Sequence, residues 1–216
     1  MIKKKALIVI DLQRDFCPGG SLAVPDGDKI VPVVNDLLER FDLVIFTQDW
    51  HDPEMDAFAS QHPGASVYDS YVRENGEKDI LWPDHCVADT LGASFHPDLN
   101  LSKCKKDFYI FKKGMERNNH VYSAFDRSKI INPDAPKKLQ DFLNERNVVE
   151  VYVCGLALDY CVKETAIDAA MEGFNTYVIE DACKSINSDL SETIEAFTQA
   201  KVYYVDSLTL SFIGNI

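Results

Sequence analysis

No run of apolar residues in this sequence approaches the ~20 needed to cross a bilayer. At the amino end the lysines of "MIKKKALIVID" imitate a secretory leader, but the apolar run "ALIVI" is five residues long and stops at Asp11. A leader needs roughly 7–15 apolar residues and a small-residue cleavage site, so this stretch reads as a first strand. Positive charge is scarce too, with 22 Lys and Arg against 35 Asp and Glu and a formal charge of −13. Such a surface repels a phosphate backbone, which removes nucleic acid from the expected partners, as the lack of a spanning run removes the membrane. None of the six cysteines forms a Cys-x-x-Cys pair or a zinc-finger spacing, so no redox dithiol or structural zinc knuckle is written here. Also absent are a Gly-x-Gly-x-x-Gly after the first strand, a Gly-x-Ser-x-Gly elbow and a phosphate-binding loop. With no repeat, low-complexity tract or linker, the 216 residues suit a single domain over 1–216. The closing "FIGNI" carries no targeting tripeptide, and the expected compartment is the cytoplasm.

What is present is a series of apolar, β-branched runs at residues 6–10, 43–47, 108–111, 148–153, 176–179 and 202–205. Most are too continuous for a half-solvated sheet and suit strands covered on both faces. Between them lie helical patterns, carried by Val31, Val34, Leu37 and Leu38, by Leu139, Phe142 and Leu143, by Val162, Ala166, Ala169 and Ala170, and by Ile194 and Phe197. Alternation of this kind predicts an α/β fold, a doubly wound parallel sheet with helices on both faces. Residues 50–105 break the pattern, with no long helix or convincing strand. That segment holds both tryptophans and four of the five histidines, and long irregular segments inside a domain are usually functional.

In a doubly wound sheet, ligands bind beyond the carboxyl ends of the strands. Those ends deliver Asp11, then Asp49 and His51, then Lys112 and Lys113, then the turn before Cys161, then Asp181. If a helix begins near Asp159, Cys161 falls in its first turn, where unpaired N–H groups and the positive dipole end favour a thiolate. Backbone N–H groups there and in the turn at Leu156–Ala157 suit an oxyanion. Asp11, with Asp15 as its rival, is the candidate general base, and Lys113, beside Lys112, the amine that keeps it ionised. In "TQDWHDP", Asp49 and His51 lie two apart, on one side of an extended chain, and "LWPDHC" offers His85 as a third metal ligand. His62, His96 and His120 are weaker candidates.

Taken together, "VIDLQRDF", "TQDWH", "LWPDHC", "FKKG", "YSAF" and "CGLALDYCVKETAIDA", in this order and spacing, resemble the isochorismatase-like cysteine hydrolases and, among them, the nicotinamidase branch. The resemblance spans about Lys5 to Val205. It implies six parallel strands in the order 3-2-1-4-5-6, and a triad of Asp11, Lys113 and Cys161. It also implies a metal site of Asp49, His51 and His85, and a cis peptide at Leu156–Ala157. The implied cofactor is one divalent metal ion, zinc first and iron or manganese as alternatives. The implied reaction is hydrolysis of nicotinamide, with pyrazinamide as a second substrate, through a Cys161 thioester in NAD salvage. Ala157 and Cys161 would hold the oxyanion through their backbone N–H groups, with Phe16, Trp82 and Tyr160 as walls of the ring pocket. One departure stands out: where many relatives add a Ser or His six residues after the first metal-binding histidine, this chain has Ala57. A homo-oligomer is left open. Two rivals remain: a related amidohydrolase acting on a ureido or carbamoyl compound, which would lack the metal triad, and a catalytically silent binding protein on the same fold. Isochorismatases proper lack the nucleophilic cysteine.

Overall fold

Ala6 to Ile10 are all fully buried, a degree of cover that only a strand sandwiched on both faces attains. The computed structural model describes residues 4–73, 76–106, 108–125, 129–130 and 138–210; the closing "FIGNI" lies outside them. In it the first strand, β1 (Lys4–Ile10), sits mid-sheet, between β2 (Val44–Asp49) and β7 (Val148–Leu156) and parallel to both. Outward from β2 lies β5 (Phe108–Lys113), and outward from β7 lie β8 (Asn175–Lys184) and β9 (Tyr203–Val205), all parallel. These six strands have the expected order. A two-residue strand, β6 (Lys129–Ile130), extends the β5 edge in the antiparallel sense.

The helices follow the periodicity read from the sequence. Helix α1 (Val31–Leu38) has Pro at its start, where no helical N–H is needed, and buries Val31, Val34, Leu37 and Leu38. Helices α2 (Leu139–Glu145), α3 (Lys163–Met171) and α4 (Ser191–Ala200) complete the set. Two expectations need correction. Residues 50–105 do contain strands: β3 (Ser70–Val72) and β4 (Lys78–Ile80) form a small antiparallel hairpin. Its three-residue strands have no fully buried residue and lack apolar alternation, so no periodic signal marks them. Asp181 does not end its strand. β8 runs on to Lys184, and the Asp181 carboxylate accepts bonds from the N–H and hydroxyl of Ser207.

The register brings the chemistry together. Ile10 pairs with Gly155, and Asp49 with Lys113, so Asp11 follows β1 just where β7 approaches its turn. Gly155 has φ +119°, and a Cβ there would lie 2.1 Å from the Ile10 carbonyl oxygen. Glycine is therefore required for β1 and β7 to meet at the site. Gly155→Ala is expected to lower the unfolding free energy by about 2–4 kcal/mol, from backbone strain and overpacking. Urea denaturation measures this, and an unchanged midpoint would contradict the close approach.

Candidate active site and metal centre

Four neighbouring strands each contribute one group to a buried cluster. The Lys113 ammonium lies 2.9 Å from Asp11 Oδ2, 2.5 Å from Asp49 Oδ1 and 3.3 Å from Cys161 Sγ. Its side chain and that of Asp11 are fully buried. Asp11 Oδ1 accepts a hydrogen bond from the Thr47 hydroxyl (2.7 Å), and that oxygen in turn accepts from the Asp11 N–H (3.1 Å). Asp11 Oδ2 faces the Lys113 ammonium and has no other hydrogen-bond partner. Ligand-type atoms of Asp11, Asp49 and Cys161 all fall within 4.8 Å of one another, which brings the Asp11 carboxylate up to the thiol.

The turn that delivers Cys161 is wider than the α-helical one expected. Val162 N–H reaches back five residues to the Ala157 carbonyl (3.1 Å), and regular helix begins only at Lys163. The Leu156–Ala157 peptide is cis. Asp159 pins this turn to the segment after β8, accepting from the N–H groups of Ile186 and Asn187 and from the Asn187 amide.

Electrostatics split the two carboxylates. Burial pushes the Asp11 carboxyl up to about 6, with Lys113 opposing the rise and Asp49 adding to it. Burial also disfavours ionised Asp49, but Lys113 and His51 outweigh it and hold this carboxyl well below its usual range. Burial alone would lower the Lys113 pKa; the two carboxylates raise it well above normal instead. The thiol departs from expectation. Burial pushes Cys161 well above an ordinary cysteine despite Lys113. The resting sulfur is therefore a protonated thiol that needs a base, because desolvation outweighs any help from the first turn.

Beside this cluster stand Asp49, His51 and His85, all buried, with ligand atoms within 4.8 Å of one another. His51 Nδ1 faces the Gly114 carbonyl (2.9 Å) and His85 Nδ1 the Pro83 carbonyl (2.7 Å). A carbonyl only accepts, so each Nδ1 carries a proton and each Nε2 is the nitrogen left for a metal. His51 Nε2 is buried without a hydrogen-bond partner, 3.6 Å from Asp49 Oδ2. Burial lowers His85 to about 3, with His51 acting in the same direction, which keeps that imidazole neutral. Two imidazoles and an ionised carboxylate with an orphaned nitrogen among them are a donor set that fits a divalent ion. Ala57 is buried, adds no ligand atom, and accepts the Trp82 N–H through its carbonyl (2.8 Å).

Trp82 and Tyr160 pack edge to face at 5.0 Å between centroids, and Phe16 meets His85 at 5.5 Å. The rival candidates lie elsewhere. Asp15 accepts the Cys86 N–H (2.7 Å), Lys112 sits over the Trp50 ring at 3.0 Å, and His62 and His96 bond locally. Sequence reasoning overlooked three contributors. Thr47 is the first polar residue after the apolar run that opens β2, followed by Gln48 and Asp49. Gln13 holds Asp49, its amide donating to the Asp49 carbonyl and accepting the Asp49 N–H, each at 2.8 Å. Tyr122 joins the aromatic wall, 5.7 Å from Tyr160, and accepts from Trp82 Nε1 at 3.0 Å. Tyr122 had a faint signal, since it follows His120 at the i+2 spacing of an extended segment.

The chain belongs to the isochorismatase domain family, whose model matches residues 5–205. Within that family its relatives include nicotinamidases. It is 43% identical over 182 residues to the nicotinamidase of Acinetobacter baylyi, covering 84% of this chain and 82% of that one. It is 40% identical over 200 residues to the nicotinamidase of Escherichia coli, covering 90% of each. Among solved structures it resembles a yeast nicotinamidase bound to the inhibitor nicotinaldehyde, with TM-score 0.79, 31% identity, and 94% of this chain and 99% of that one covered. It also resembles a Pyrococcus horikoshii pyrazinamidase in complex with zinc, with TM-score 0.74, 35% identity, and 94% and 99% covered.

Gly114 supplies the carbonyl that orients His51, and at φ +65° a Cβ there would lie 2.4 Å from His51 Cε1. Gly114→Ala is expected to displace the ring and weaken binding of a divalent ion by roughly 10–100-fold, the usual cost of losing an outer-shell support. Competition against a chelator reads this directly. Wild-type affinity in the variant would mean that the turn does not hold His51.

Proposed function

We infer that this protein is a nicotinamidase, hydrolysing nicotinamide to nicotinic acid and ammonia. The observation that carries the reading is the Lys113 ammonium, bonded to Asp11 and Asp49 and 3.3 Å from Cys161 Sγ. That one contact set joins a nucleophile, a base and a metal-type cluster. The nicotinamidase relatives support the same reaction. Pyrazinamide, another aromatic carboxamide of similar shape, is the expected second substrate. Nicotinic acid re-enters pyridine nucleotide synthesis, so we assign the reaction to NAD salvage in the cytoplasm. All six cysteines are free thiols, the state a reducing compartment maintains.

Asp11 takes the Cys161 proton as sulfur attacks the carboxamide carbon, and the nearby Lys113 charge stabilises the thiolate character that develops. The N–H groups of Ala157 and Cys161 receive the oxyanion. Asp11 returns the proton to nitrogen, the C–N bond breaks, and ammonia leaves behind a Cys161 thioester. Asp11 then deprotonates a water that attacks the thioester carbon; the C–S bond breaks, and sulfur recovers its proton as the acid departs. A carboxyl near 6 suits both roles, being ionised at neutral pH yet more basic than an ordinary Asp. Phe16, Trp82 and Tyr160, with Tyr122, wall the ring. Asp49, His51 and His85 would hold one divalent ion. Zinc is favoured by the donor set and by the zinc-bound relative, with iron or manganese as the alternatives. When bound there, the ion supplies a Lewis-acid anchor for the pyridine nitrogen, directly or through water, which fixes the approach of the amide.

Purified protein is expected to release ammonia from nicotinamide, and Cys161→Ala to release none. Turnover by the variant would remove Cys161 as nucleophile, and an inactive metal-loaded wild type would remove the nicotinamidase reading. The pH profile has a definite sign. Asp11 must be ionised to accept the proton, so kcat/KM is expected to rise with pH through about 6 and to be lost below it. The Thr47 hydroxyl stabilises the charged form, so Thr47→Val is expected to move this acid limb to higher pH. A limb that stays in place would assign it to another group.

A further inference from the structure

One histidine remains outside the roles described so far. His120 is 5% exposed, and its ring centroid lies 5.6 Å from that of His51 and 4.6 Å from that of Tyr122. Its Nδ1 lies 3.4 Å from Asp79 Oδ2, and because an ionised carboxylate only accepts, that nitrogen carries the proton. In His120, as in His51 and His85, Nδ1 is tied to an oxygen acceptor and Nε2 is left on the far side of the ring. A histidine oriented by a carboxylate in this way is the usual outer construction of a metal site. Here the carboxylate is itself fixed. Asp79 stands on β4 and pairs with Arg73, just past β3, while Arg73 Nη1 also donates to the His120 carbonyl at 3.0 Å. The Tyr122 hydroxyl donates to the other oxygen of Asp79 at 3.0 Å. The hairpin therefore holds His120 by both its ring and its backbone.

We propose that His120 is a further residue of the metal site, accepting through Nε2 a hydrogen bond from a water bound to the ion. Its nitrogens do not join the set of Asp49, His51 and His85 atoms lying within 4.8 Å of one another, so contact through water is favoured over direct ligation. Three protein ligands leave positions that water fills, and a buried water needs acceptors of its own. His120 supplies one beside His51.

The inference rests on the metal reading above, and its test separates the two. Zinc affinity by chelator competition, and the visible absorption of the cobalt(II)-substituted protein, are measured for wild type, Asp49→Ala, His120→Leu and His120→Gln. His120→Leu keeps the bulk and removes the acceptor; it is expected to weaken zinc binding by roughly 10-fold or more, within the range seen for outer-shell losses, and to shift the cobalt band. His120→Gln retains an acceptor oxygen and is expected to hold zinc more tightly than the Leu variant. If the Leu and Gln variants both match wild type in affinity and spectrum, or fall equally, His120 is only a packing element and the inference fails. If wild type binds no zinc, or Asp49→Ala binds it as tightly as wild type, the metal reading fails and takes this inference with it.

Discussion

A single ammonium group, that of Lys113, holds this site together. Removing such a charge from water costs on the order of several kcal/mol even after relaxation, and here the compensation comes from Asp11 and Asp49 together. Because two carboxylates share one cation, they cannot behave alike. Asp49, with His51 as well as Lys113 beside it, stays ionised far below neutrality, while Asp11 in its dry pocket rises towards it. Two aspartates on adjacent strands thus acquire different work, one fit to hold a cation and the other to exchange a proton.

Much of the frame was legible because burial on both faces demands continuous apolar strands, and a charged residue closing such a run stands out. Asp11, Asp49 and Lys113 were visible for that reason, and the parallel order of the strands follows from the alternation with helices. What escaped the reading escaped it for physical reasons. The strands of the β3–β4 hairpin are only three residues long, too short for any alternation in their composition to register. Asp181 was misjudged because β8 continues through polar residues past the end of its apolar run. Thr47 and Gln13 are polar but satisfied by neighbours 36 residues away, a complementarity no local pattern carries. His120 and Asp79 are 41 residues apart in sequence and meet only once the hairpin folds back. The state of Cys161 was misread because position in a helical turn is a local property, whereas desolvation depends on everything packed around it.

The irregular segment after β2 is less a loop than an extension of the sheet by other means. The His51 N–H donates to the Cys86 carbonyl and the His51 carbonyl accepts the Ala88 N–H, while Trp82 exchanges main-chain bonds with Ala57 and Ala59. These pairings bring Trp82 and His85 alongside His51 without the periodicity of a strand. A segment that looks unstructured in sequence is in this way held on main-chain hydrogen bonds, and its side chains are free to serve the pocket.

Lys113 and Gly114 are consecutive residues, yet the side chain of one reaches the nucleophile and the carbonyl of the other orients a metal-type histidine. The two halves of the site are therefore inherited as one piece. A lineage could not exchange its cation preference by reshaping the end of β5 without also disturbing the acid–base group beside the sulfur. Drift in substrate choice is then directed towards the aromatic wall, whose residues come from separate segments and can change one at a time.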